Sequence, residues 1–420
     1  MPKKTMAEKL LSRASGRDVE AGDIVIARPD YAMGTDGSIP MAIDYLRRIS
    51  APSHGPVNPD QLVFAFDHYG LPSGPGALRL QEKAREFAKT FGITLFDVGE
   101  GIGHQIMIDE GYAAPGRLVV GADSHATAYG AMNCFGTGIG SSDLAGIMLT
   151  GQLWLEAPRS IRVELRGRLQ PRVSAKDIAL YLARMLRADG ANYRAIEFAG
   201  DGIASLDMDE RIVLSNMAVE LGAKAGIFPA DETLTRFLSD RWMPADAVFP
   251  DRGCEYIDEL IIDLTTLRPQ IALPHRVDNV VDLDEAEFTP VDMVYLGTCT
   301  GGRVRDYEEA LEVLRHAGRV ARNVEVVVTP ATRRINRELR ERGMLEEFCR
   351  YGARLERPGC GACCGTCGTV APGQIVMSSA NRNFKGRMGD STARIFLGSP
   401  YSCAKAAVEG AIGRAVRRKQ

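Results

Sequence analysis

Short apolar runs typical of buried strands recur along the chain, and stretches with a helical spacing of apolar positions separate them. The clearest runs are LVFAF (62–66), RLVVGA (117–122), VDMVYLG (291–297) and QIVMSSA (374–380). The clearest helical stretches are KDIALYLARMLRADG and RVRDYEEALEVLRHAG. Strands that alternate with helices are typical of an α/β protein. An N-terminal helix is also predicted, because Thr5 and Glu8 have the spacing of a capping box.

Differences in composition and pattern along the chain predict three α/β lobes. Residues 1–160 are rich in glycine. Residues 161–285 open with the strand-like SIRVELRG (160–167), and residues 286–420 carry most of the cysteines. Neither a repeat of fixed period nor a low-complexity linker separates these stretches. We therefore expect closely packed lobes rather than independent modules.

Polar and chemically reactive side chains follow four of the predicted strands. They are Asp67 and His68, then Asp123, Ser124 and His125, then the segment around Cys299, and finally Asn381 and Arg382. In open α/β sheets, ligands bind outside the carboxyl ends of the strands. We therefore expect the four strand ends to form the walls of one cleft.

Composition and charge exclude several classes of protein. The chain has 420 residues, of which 45% are hydrophobic and 25% are charged, and its net charge is −3. These values are typical of globular proteins and unlike those of disordered or fibrous chains. A slightly acidic chain is a poor candidate for unspecific binding to nucleic acid or to an anionic membrane. No apolar run approaches the roughly 20 residues that a membrane helix needs.

The cysteines are unevenly distributed. The N-terminal MPKKTMAEKLLSR lacks the long apolar region of a secretory signal, so we expect a cytoplasmic protein with reduced thiols. Five of the nine cysteines lie between Cys349 and Cys367. Cys360 and Cys363 form a CxxC motif flanked by glycines. Such clustering predicts a metal or redox centre.

Three kinds of centre fit the cysteine spacing. A structural zinc site could use Cys360, Cys363, Cys364 and Cys367, although adjacent ligands strain a tetrahedral geometry. An electron-transfer cluster could use four thiolates. The third kind is a cluster with three cysteine ligands, which leaves one iron open to a substrate. Cys299 precedes a predicted helix, and helix N-termini favour the thiolate form that binds metal.

Four segments of the chain resemble the aconitase superfamily, in particular its 3-isopropylmalate dehydratase and homoaconitase large subunits. They are GIGHQIMIDEGYAAPGRLVVGADSHATAYGAMNCFGTGIGSSDLAGIM, LGTCTGGRVRDYEEAL, RPGCGACCGTCGTVAPG and SSANRNFKGRMGD. The resemblance keeps the same order from about residue 5 to about residue 415. It implies a [4Fe–4S] cluster held by Cys299, Cys360 and Cys363, with one iron that no cysteine ligates. The resemblance therefore favours the third kind of centre, within an aconitase-like fold of three α/β lobes.

The resemblance also implies roles for other residues. The catalytic residues it implies are Asp67, His68, His104, Asp123, His125 and Glu220. The substrate-binding residues it implies are Ser124, Asn216, Asn381, Arg382 and Arg387. Asn216 and Glu220 are four residues apart, so on one helix their side chains would share a face. Arginine suits substrate binding because its planar fork matches a carboxylate.

The sequence departs from the family pattern around these motifs. Gly301 stands where the family usually has asparagine, Ala126 where it has threonine, and Thr298 where it has serine. We expect the loss of the asparagine to alter cluster stability or substrate preference. Cys364 and Cys367 are additional cysteines, which fit an alternative ligand, a redox-sensitive thiol or packing. We expect them to serve packing.

The resemblance implies the large subunit of a hydro-lyase that isomerises 3-isopropylmalate and 2-isopropylmalate in leucine biosynthesis. Within the family, the alternatives are a homoaconitase and another hydroxy-dicarboxylate dehydratase, such as one acting on 2,3-dimethylmalate. The expected substrate is a hydroxy-dicarboxylate or hydroxy-tricarboxylate. In the family, a serine on a swivel domain removes the Cα proton, and no counterpart of that domain is recognised in this sequence. We therefore expect a small partner subunit that carries it.

Two further alternatives come from other classes of protein. A non-catalytic iron–sulfur protein would need a fourth cysteine ligand, for which Cys364 and Cys367 are candidates. An RNA-binding iron sensor would need a basic stripe, and the net charge of −3 argues against it.

Overall fold

The computed structural model describes residues 3–51, 54–70, 74–239, 246–366 and 370–413. Its helices, in chain order, are α1 (Met6–Ser15), α2 (Ile39–Ile49), α3 (Pro75–Phe91), α4 (Gly103–Asp109), α5 (Ser141–Thr150), α6 (Ala175–Leu186), α7 (Met208–Met217), α8 (Glu232–Ser239), α9 (Val304–Ala317), α10 (Arg333–Glu341), α11 (Met344–Arg350) and α12 (Pro400–Glu409).

Its strands, in chain order, are β1 (Ile24–Ala27), β2 (Tyr31–Thr35), β3 (Leu62–Ala65), β4 (Thr94–Phe96), β5 (Leu118–Gly121), β6 (Phe135–Gly138), β7 (Leu153–Glu156), β8 (Ser160–Arg166), β9 (Ala195–Ala199), β10 (Ala225–Ile227), β11 (Asp258–Asp263), β12 (Gln270–Ala272), β13 (Val280–Asp282), β14 (Thr289–Pro290), β15 (Met293–Gly297), β16 (Glu325–Thr329), β17 (Arg354–Leu355), β18 (Ile375–Ser378), β19 (Arg394–Gly398) and β20 (Ala411–Ile412). The chain divides into two compact units, each assembled from several segments.

Unit 1 consists of Met1–Val98, Gly103–Arg168 and Asp189–Asp263. Its main sheet has the strand order β4-β3-β2-β5-β6, and all neighbouring strands are parallel. β3 and β5 are buried along their whole length, as expected for parallel strands with apolar residues on both faces. The chain runs outward from β2 on one side and from β5 on the other. The junction of β2 and β5 is therefore a topological switch point, where such sheets bind ligands.

Two smaller sheets complete the strand inventory of unit 1. β10-β9-β8-β11 is parallel throughout, and β1 pairs with β7 in antiparallel fashion. α1 begins at the predicted capping box: the Glu8 amide donates to Thr5 Oγ1 at 3.3 Å, and the Thr5 amide donates to the Glu8 carboxylate at 2.8 Å. Apolar residues of α1, α2, α5 and the main sheet share one buried core.

Unit 2 consists of Gly99–Ile102, Leu169–Ala188 and Leu264–Gln420. Its main sheet has the strand order β13-β12-β19-β18-β15-β16-β17. The five strands from β19 to β17 are parallel, whereas β12 is antiparallel to both β13 and β19; β14 and β20 form a separate antiparallel pair. The chain runs from β15 to β17 on one side and from β18 to β19 on the other. Unit 2 therefore has a switch point of its own, at the junction of β15 and β18.

The predicted α/β class is confirmed. The four apolar runs correspond to β3, β5, β15 and β18, and the predicted helices correspond to α1, α6 and α9. The division into three lobes stays a prediction. Among the described helices, none combines the length and the apolar character that crossing a bilayer requires.

One local prediction is wrong, because the α-helix that carries Asn216 does not continue to Glu220. α7 ends at Met217, and a 3-10 segment follows over Ala218–Leu221. The tighter winding ends at Gly222, whose φ of +86° turns the chain out of the helix. The two predicted residues therefore lie on consecutive elements of different pitch.

Candidate active site

Three strands of the main sheet of unit 1 end at its switch point, and an acidic residue follows each of them. Asp36 directly follows β2, Asp67 lies two residues after β3, and Asp123 lies two residues after β5. Parallel strands place their carboxyl ends at one edge of the sheet, so these carboxylates gather there. Asp67 and Asp123 were predicted, whereas sequence reasoning missed Asp36.

The Asp123 carboxylate binds three histidines. Its Oδ1 atom lies 2.8 Å from His104 Nε2 and accepts a hydrogen bond from the His125 backbone N–H at 3.0 Å. Its Oδ2 atom lies 3.3 Å from His68 Nε2. The His125 ring is also close, with Nδ1 3.5 Å from Oδ1, and its Nε2 atom lies 2.9 Å from Glu220 Oε1. One carboxylate therefore connects imidazoles from three separate parts of the chain.

The other ring nitrogens of His68 and His104 also have partners. His68 Nδ1 lies 2.6 Å from Asp67 Oδ1, and His104 Nδ1 lies 3.2 Å from the Tyr129 hydroxyl. The Asp67 carboxylate accepts a further hydrogen bond from the Gly103 N–H, at 2.8 Å. All six residues predicted to be catalytic thus belong to one hydrogen-bonded network, which we call the carboxylate–histidine network. Such a network can hold and transfer protons.

The network sets the charge of its members. Burial by itself lowers the pKa of His68, but Asp67 and Asp123 outweigh burial and raise that pKa well above its usual range. Burial raises the pKa of Asp123, yet the bonds with His104, His125 and His68 hold it well below its usual value. These shifts favour the ionised form of Asp123 and the protonated form of His68. The His68 side chain is 27% exposed and that of His104 is 5% exposed, so His68 is the more accessible of the two.

Asp36 fixes the backbone that carries His68. Its carboxylate accepts hydrogen bonds from the His68 N–H at 3.0 Å, the Tyr69 N–H at 2.9 Å and the Gln81 side-chain amide at 3.0 Å. Burial raises the pKa of Asp36, and the neighbouring charge of Asp67 adds to the rise. A signal for Asp36 exists in the sequence, because YAMGTDG has the same pattern of a short strand followed by a polar residue.

Two predicted substrate-binding residues lie on or next to elements that carry the network. Ser124 directly follows Asp123 and begins the 3-10 segment Ser124–Met132. Asn216 is fully buried in α7, and its backbone carbonyl accepts a hydrogen bond from Thr127 Oγ1 at 3.1 Å. Among the described residues, neither polar atom of the Asn216 side chain has a hydrogen-bond partner. A buried amide without partners is costly, so this side chain indicates a ligand.

The switch point of unit 2 brings together Cys299, which lies two residues after β15, and Asn381, which lies three residues after β18. Asn381 Nδ2 donates to Cys299 Sγ at 3.2 Å, and Asn381 Oδ1 accepts from Cys363 Sγ at 3.6 Å. One buried amide therefore connects two of the three predicted cysteine ligands. Arg382 directly follows Asn381 and is half-buried.

Cys360 and Cys363 lie at a tight turn, with a 3-10 segment over Gly361–Cys364. Gly361 has a φ of +55°, and a Cβ atom there would lie 2.1 Å from the Tyr295 hydroxyl. That hydroxyl donates to the Cys360 carbonyl at 3.1 Å. Glycine is required at this position because the turn packs directly on Tyr295. Sequence reasoning missed Tyr295, whose place within the strand gives no signal of this contact.

Arg387 is the cation of this cysteine group. Its Nη2 atom donates to Cys363 Sγ at 3.4 Å. Burial lowers the pKa of Arg387, but the sulfurs of Cys363, Cys364 and Cys360 outweigh burial and raise it. In the described part of the chain, the buried Nε atom of Arg387 has no hydrogen-bond partner. Donors directed at sulfur, together with a spare guanidinium donor, suit an anionic cluster with sulfur ligands.

The additional cysteines contribute less to this picture. Cys364 is half-buried, and its Sγ atom lies 2.8 Å from Thr366 Oγ1. Cys367 lies outside the described residues. The packing role expected for both stays a prediction.

The glycine at 301 has a structural reason. A Cβ atom there would lie 2.4 Å from Ser379 Cβ and 2.3 Å from Ser379 Oγ. The Ser379 hydroxyl itself accepts a hydrogen bond from the Gly297 N–H at 3.0 Å. An asparagine at 301 would therefore require Ser379 to move, so this departure from the family pattern is tied to the serine.

Comparison with known proteins identifies the family. Residues 78–410 match the Aconitase family (aconitate hydratase). The chain belongs to the aconitase family. A relative from Thermotoga maritima, 3-isopropylmalate dehydratase large subunit 1, is 43% identical over 414 residues, which cover 97% of this chain and 98% of the relative. The resemblance inferred from the motifs is thereby confirmed.

Two other aconitase-family relatives are similar over nearly their whole length. The 3-isopropylmalate dehydratase large subunit 1 of Archaeoglobus fulgidus is 41% identical over 411 residues, covering 97% of this chain and 98% of the relative. The homoaconitase large subunit of Thermus thermophilus is 41% identical over 409 residues, covering 97% and 96%. Both names that the sequence analysis weighed therefore occur among the relatives.

Proposed function

We propose that this chain is the large, cluster-bearing subunit of a cytoplasmic hydro-lyase that interconverts 3-isopropylmalate and 2-isopropylmalate in leucine biosynthesis. The observation that carries the proposal is the similarity, over 97% of the chain, to two large subunits of 3-isopropylmalate dehydratase. The carboxylate–histidine network supports the reaction class, because loss of a hydroxyl as water needs a positioned proton donor.

His68 is the proton donor in this proposal. Its accessible ring is held by Asp67 through Nδ1 at 2.6 Å and by Asp123 through Nε2 at 3.3 Å. The longer of the two contacts is that of Nε2, whose N–H supplies the proton for the departing hydroxyl in this proposal. His104 is the alternative donor, and as a partner of Asp123 it also orients that carboxylate. In the rehydration direction the same nitrogen accepts a proton from water.

Cys299, Cys360 and Cys363 would hold the [4Fe–4S] cluster of the family, with one iron that no cysteine ligates. When bound, such a cluster supplies a Lewis acid that polarises the C–O bond and orients the substrate. Asn381 and Arg387 donate hydrogen bonds to the Cys299 and Cys363 sulfurs and so orient these ligands.

The substrate-binding residues in this proposal are Ser124, Asn216, Asn381, Arg382 and Arg387. The unpartnered Nε atom of Arg387 and the unpartnered side-chain amide of Asn216 support such roles, since a substrate would complete their hydrogen bonds. A guanidinium binds a carboxylate through two parallel hydrogen bonds, which also fixes the orientation of the substrate.

The proposal includes a small partner subunit. The relatives named above are each called a large subunit, which supports a second chain in the assembly. By the family resemblance, the partner carries the swivel domain and the base that removes the Cα proton. The complex, rather than this chain alone, would then turn over the substrate.

Anaerobic reconstitution of the chain with iron and sulfide, followed by EPR of the reduced sample, tests the proposal. We expect a [4Fe–4S] signal that shifts when 3-isopropylmalate is added, and turnover once a small subunit is present. A signal that no candidate substrate shifts would contradict the open iron. Full turnover by the isolated chain would contradict the need for a partner.

A homoaconitase is the second candidate function, and the 41% identity to the homoaconitase large subunit of Thermus thermophilus favours it. Values of kcat/KM for isopropylmalate, homocitrate and 2,3-dimethylmalate, measured with the complete complex, distinguish the candidates. A preference for homocitrate would replace the proposed substrate while leaving the reaction class intact.

A further inference from the structure

The side chain of Lys176 on α6 is buried in unit 2, with a relative exposure of 1%. Lysine is almost never fully buried unless its charge is compensated, because removing an ammonium group from water is costly. The residue also lies outside the groups that the proposed function uses. Its burial therefore needs a structural account.

Three oxygen atoms surround the Lys176 ammonium group. Nζ donates to the Ala380 carbonyl at 2.6 Å, to the Ser379 carbonyl at 3.0 Å and to Thr300 Oγ1 at 3.2 Å. Each of these acceptors can take one of the N–H bonds of an ammonium group. Thr300 comes from the loop after β15, and the two carbonyls come from the loop after β18. Lys176 therefore ties together the two loops of the switch point.

The first of these loops contains a strained residue. Thr298 has a φ of +76°, which is unusual for a β-branched side chain. Its Oγ1 atom accepts a hydrogen bond from the Thr300 N–H at 3.2 Å and lies 3.2 Å from Thr300 Oγ1. Strain of this kind persists only where the surroundings hold it in place. Lys176 bonds to the same Thr300 hydroxyl and so supports the strained turn.

The second loop is locked to the first by its own contacts. Thr300 Oγ1 donates to the Ser379 carbonyl at 3.0 Å, and the Ser379 side chain fills the space that the absence of a Cβ at Gly301 leaves. Cys299 and Asn381 are each next to a residue that Lys176 contacts. The 3.2 Å bond from Asn381 Nδ2 to Cys299 Sγ therefore depends on the relative position of the two loops.

We propose that Lys176 is a positioning residue for cluster binding, which holds the Cys299 turn and the Asn381 loop at the separation that the amide–sulfur hydrogen bond requires. The inference rests on the proposed function, because it concerns the cluster proposed for these cysteines. Lys176 acts through Thr300 and the loop carbonyls and needs no contact with the cluster or the substrate.

The test compares K176M with D177N on the same helix. Methionine keeps the length of the side chain and removes the three donors. Asp177 is also fully buried, but its carboxylate accepts from the Gln270 N–H at 2.7 Å and the Ser174 N–H at 2.9 Å, away from both loops. D177N therefore shows how far a substitution in α6 affects stability and iron loss in general.

The readout is the rate of iron loss to a chelator from the anaerobically reconstituted chain, together with its EPR line shape. We expect K176M to lose iron about tenfold faster or more, with an altered line shape, as for other residues that orient metal ligands. We expect D177N to keep the wild-type rate and line shape even if its thermal stability falls. Equal rates for K176M and wild type, or equal acceleration by D177N, would overturn the inference.

Thr300→Val provides a second variant in case K176M does not fold. It removes one acceptor of Lys176 and one inter-loop bond while keeping the side-chain shape. We expect a smaller acceleration of iron loss in the same direction, and a wild-type rate would overturn the inference. A wild-type chain that takes up no iron would instead contradict the proposed cofactor, and this inference with it.

Discussion

The two switch points of this protein share a strand geometry and differ in chemistry. At the junction of β2 and β5, carboxylates and imidazoles follow the strands, whereas thiols and an amide follow them at the junction of β15 and β18. In unit 1, Asp123 and its three histidines bind each other. In unit 2, Asn381 and Arg387 direct their donors at sulfur. Strand order thus determines where a ligand can bind, and the residues after the strands determine the chemistry.

The two switch points also differ in how far they are arranged before a ligand binds. The carboxylate–histidine network has its protons and charges arranged before any ligand arrives, which is the basis of electrostatic preorganisation. In the proposed function, by contrast, the cysteine group is completed only when the cluster binds. We therefore expect substitutions of the predicted cysteine ligands to act on cluster binding, and substitutions in the network to act on rate while the cluster stays bound.

The largest effect is expected for Cys363→Ser. Loss of this thiol removes a predicted ligand and the acceptor of the Arg387 hydrogen bond, so activity of the complex should fall below detection. Iron and sulfide per chain after reconstitution are the measurements. The exposed Cys349→Ser should retain both. A Cys363→Ser chain with wild-type iron content and an unchanged spectrum would remove Cys363 from the ligand set.

The next effect is expected for Asp123→Asn. Loss of the negative charge that binds three imidazoles should lower kcat by about 10²- to 10⁴-fold, the usual range for general acid–base groups. Iron content should stay at the wild-type value. Asp143→Asn, at the N-terminus of α5, is the matched control, because its carboxylate accepts the Gly140 N–H at 2.9 Å and lies outside the network. Loss of iron in Asp123→Asn would contradict the expectation that the network affects the rate and not cluster binding.

A pH profile sharpens the assignment of His68. Its raised pKa means that the protonated form is present below that pKa and is lost as the pH rises through it. Asp67→Asn removes a charge that raises the pKa, so the alkaline fall of kcat/KM for dehydration should begin at a lower pH, with an additional loss of about 10- to 100-fold. Tyr129 contacts His104 instead, so Tyr129→Phe should leave the alkaline fall of kcat/KM at the wild-type pH. An alkaline limb that shifts in Tyr129→Phe and stays in place in Asp67→Asn would point to His104 as the donor.

The smallest effect is expected for Arg387→Lys. Lysine keeps the charge but loses the planar fork, so KM should rise about tenfold with little change in kcat. Arg394→Lys, on an exposed guanidinium 5.5 Å above the Phe396 ring, should leave both constants unchanged. A fall in kcat and iron content without a change in KM would show that Arg387 serves the cluster rather than the substrate.

Sequence reasoning located the reactive residues at the strand ends because the signals there are local, although it did not distinguish two switch points. A short buried run followed by Asp67 and His68, or by Cys299, is readable without knowledge of the fold. The same pattern before Asp36 was available as well. The capping box of Thr5 is also local, and the helix begins there.

The missed features depend on contacts between distant parts of the chain. Lys176 occupies a polar position of an amphipathic helix, where exposure is the ordinary expectation, and only the packed sheet shows its burial. Tyr295 reads as one more apolar strand residue. The segment with 3-10 winding after Met217 packs closely on β10, where a Cβ at Gly226 would lie 2.8 Å from Ala218 Cβ.

The contacts of Lys176 have a consequence for synthesis of the protein on the ribosome. Its three acceptors lie 124, 203 and 204 residues further along the chain. At roughly 5–20 residues per second, the lysine emerges about 10–40 s before the last of them. During that interval Cys299 is made without the loop that orients its sulfur. If Cys299 holds the proposed cluster, we therefore expect iron–sulfur delivery to follow synthesis of the Asn381 loop, and a nascent chain that stalls after Cys299 would present a thiol without its amide partner.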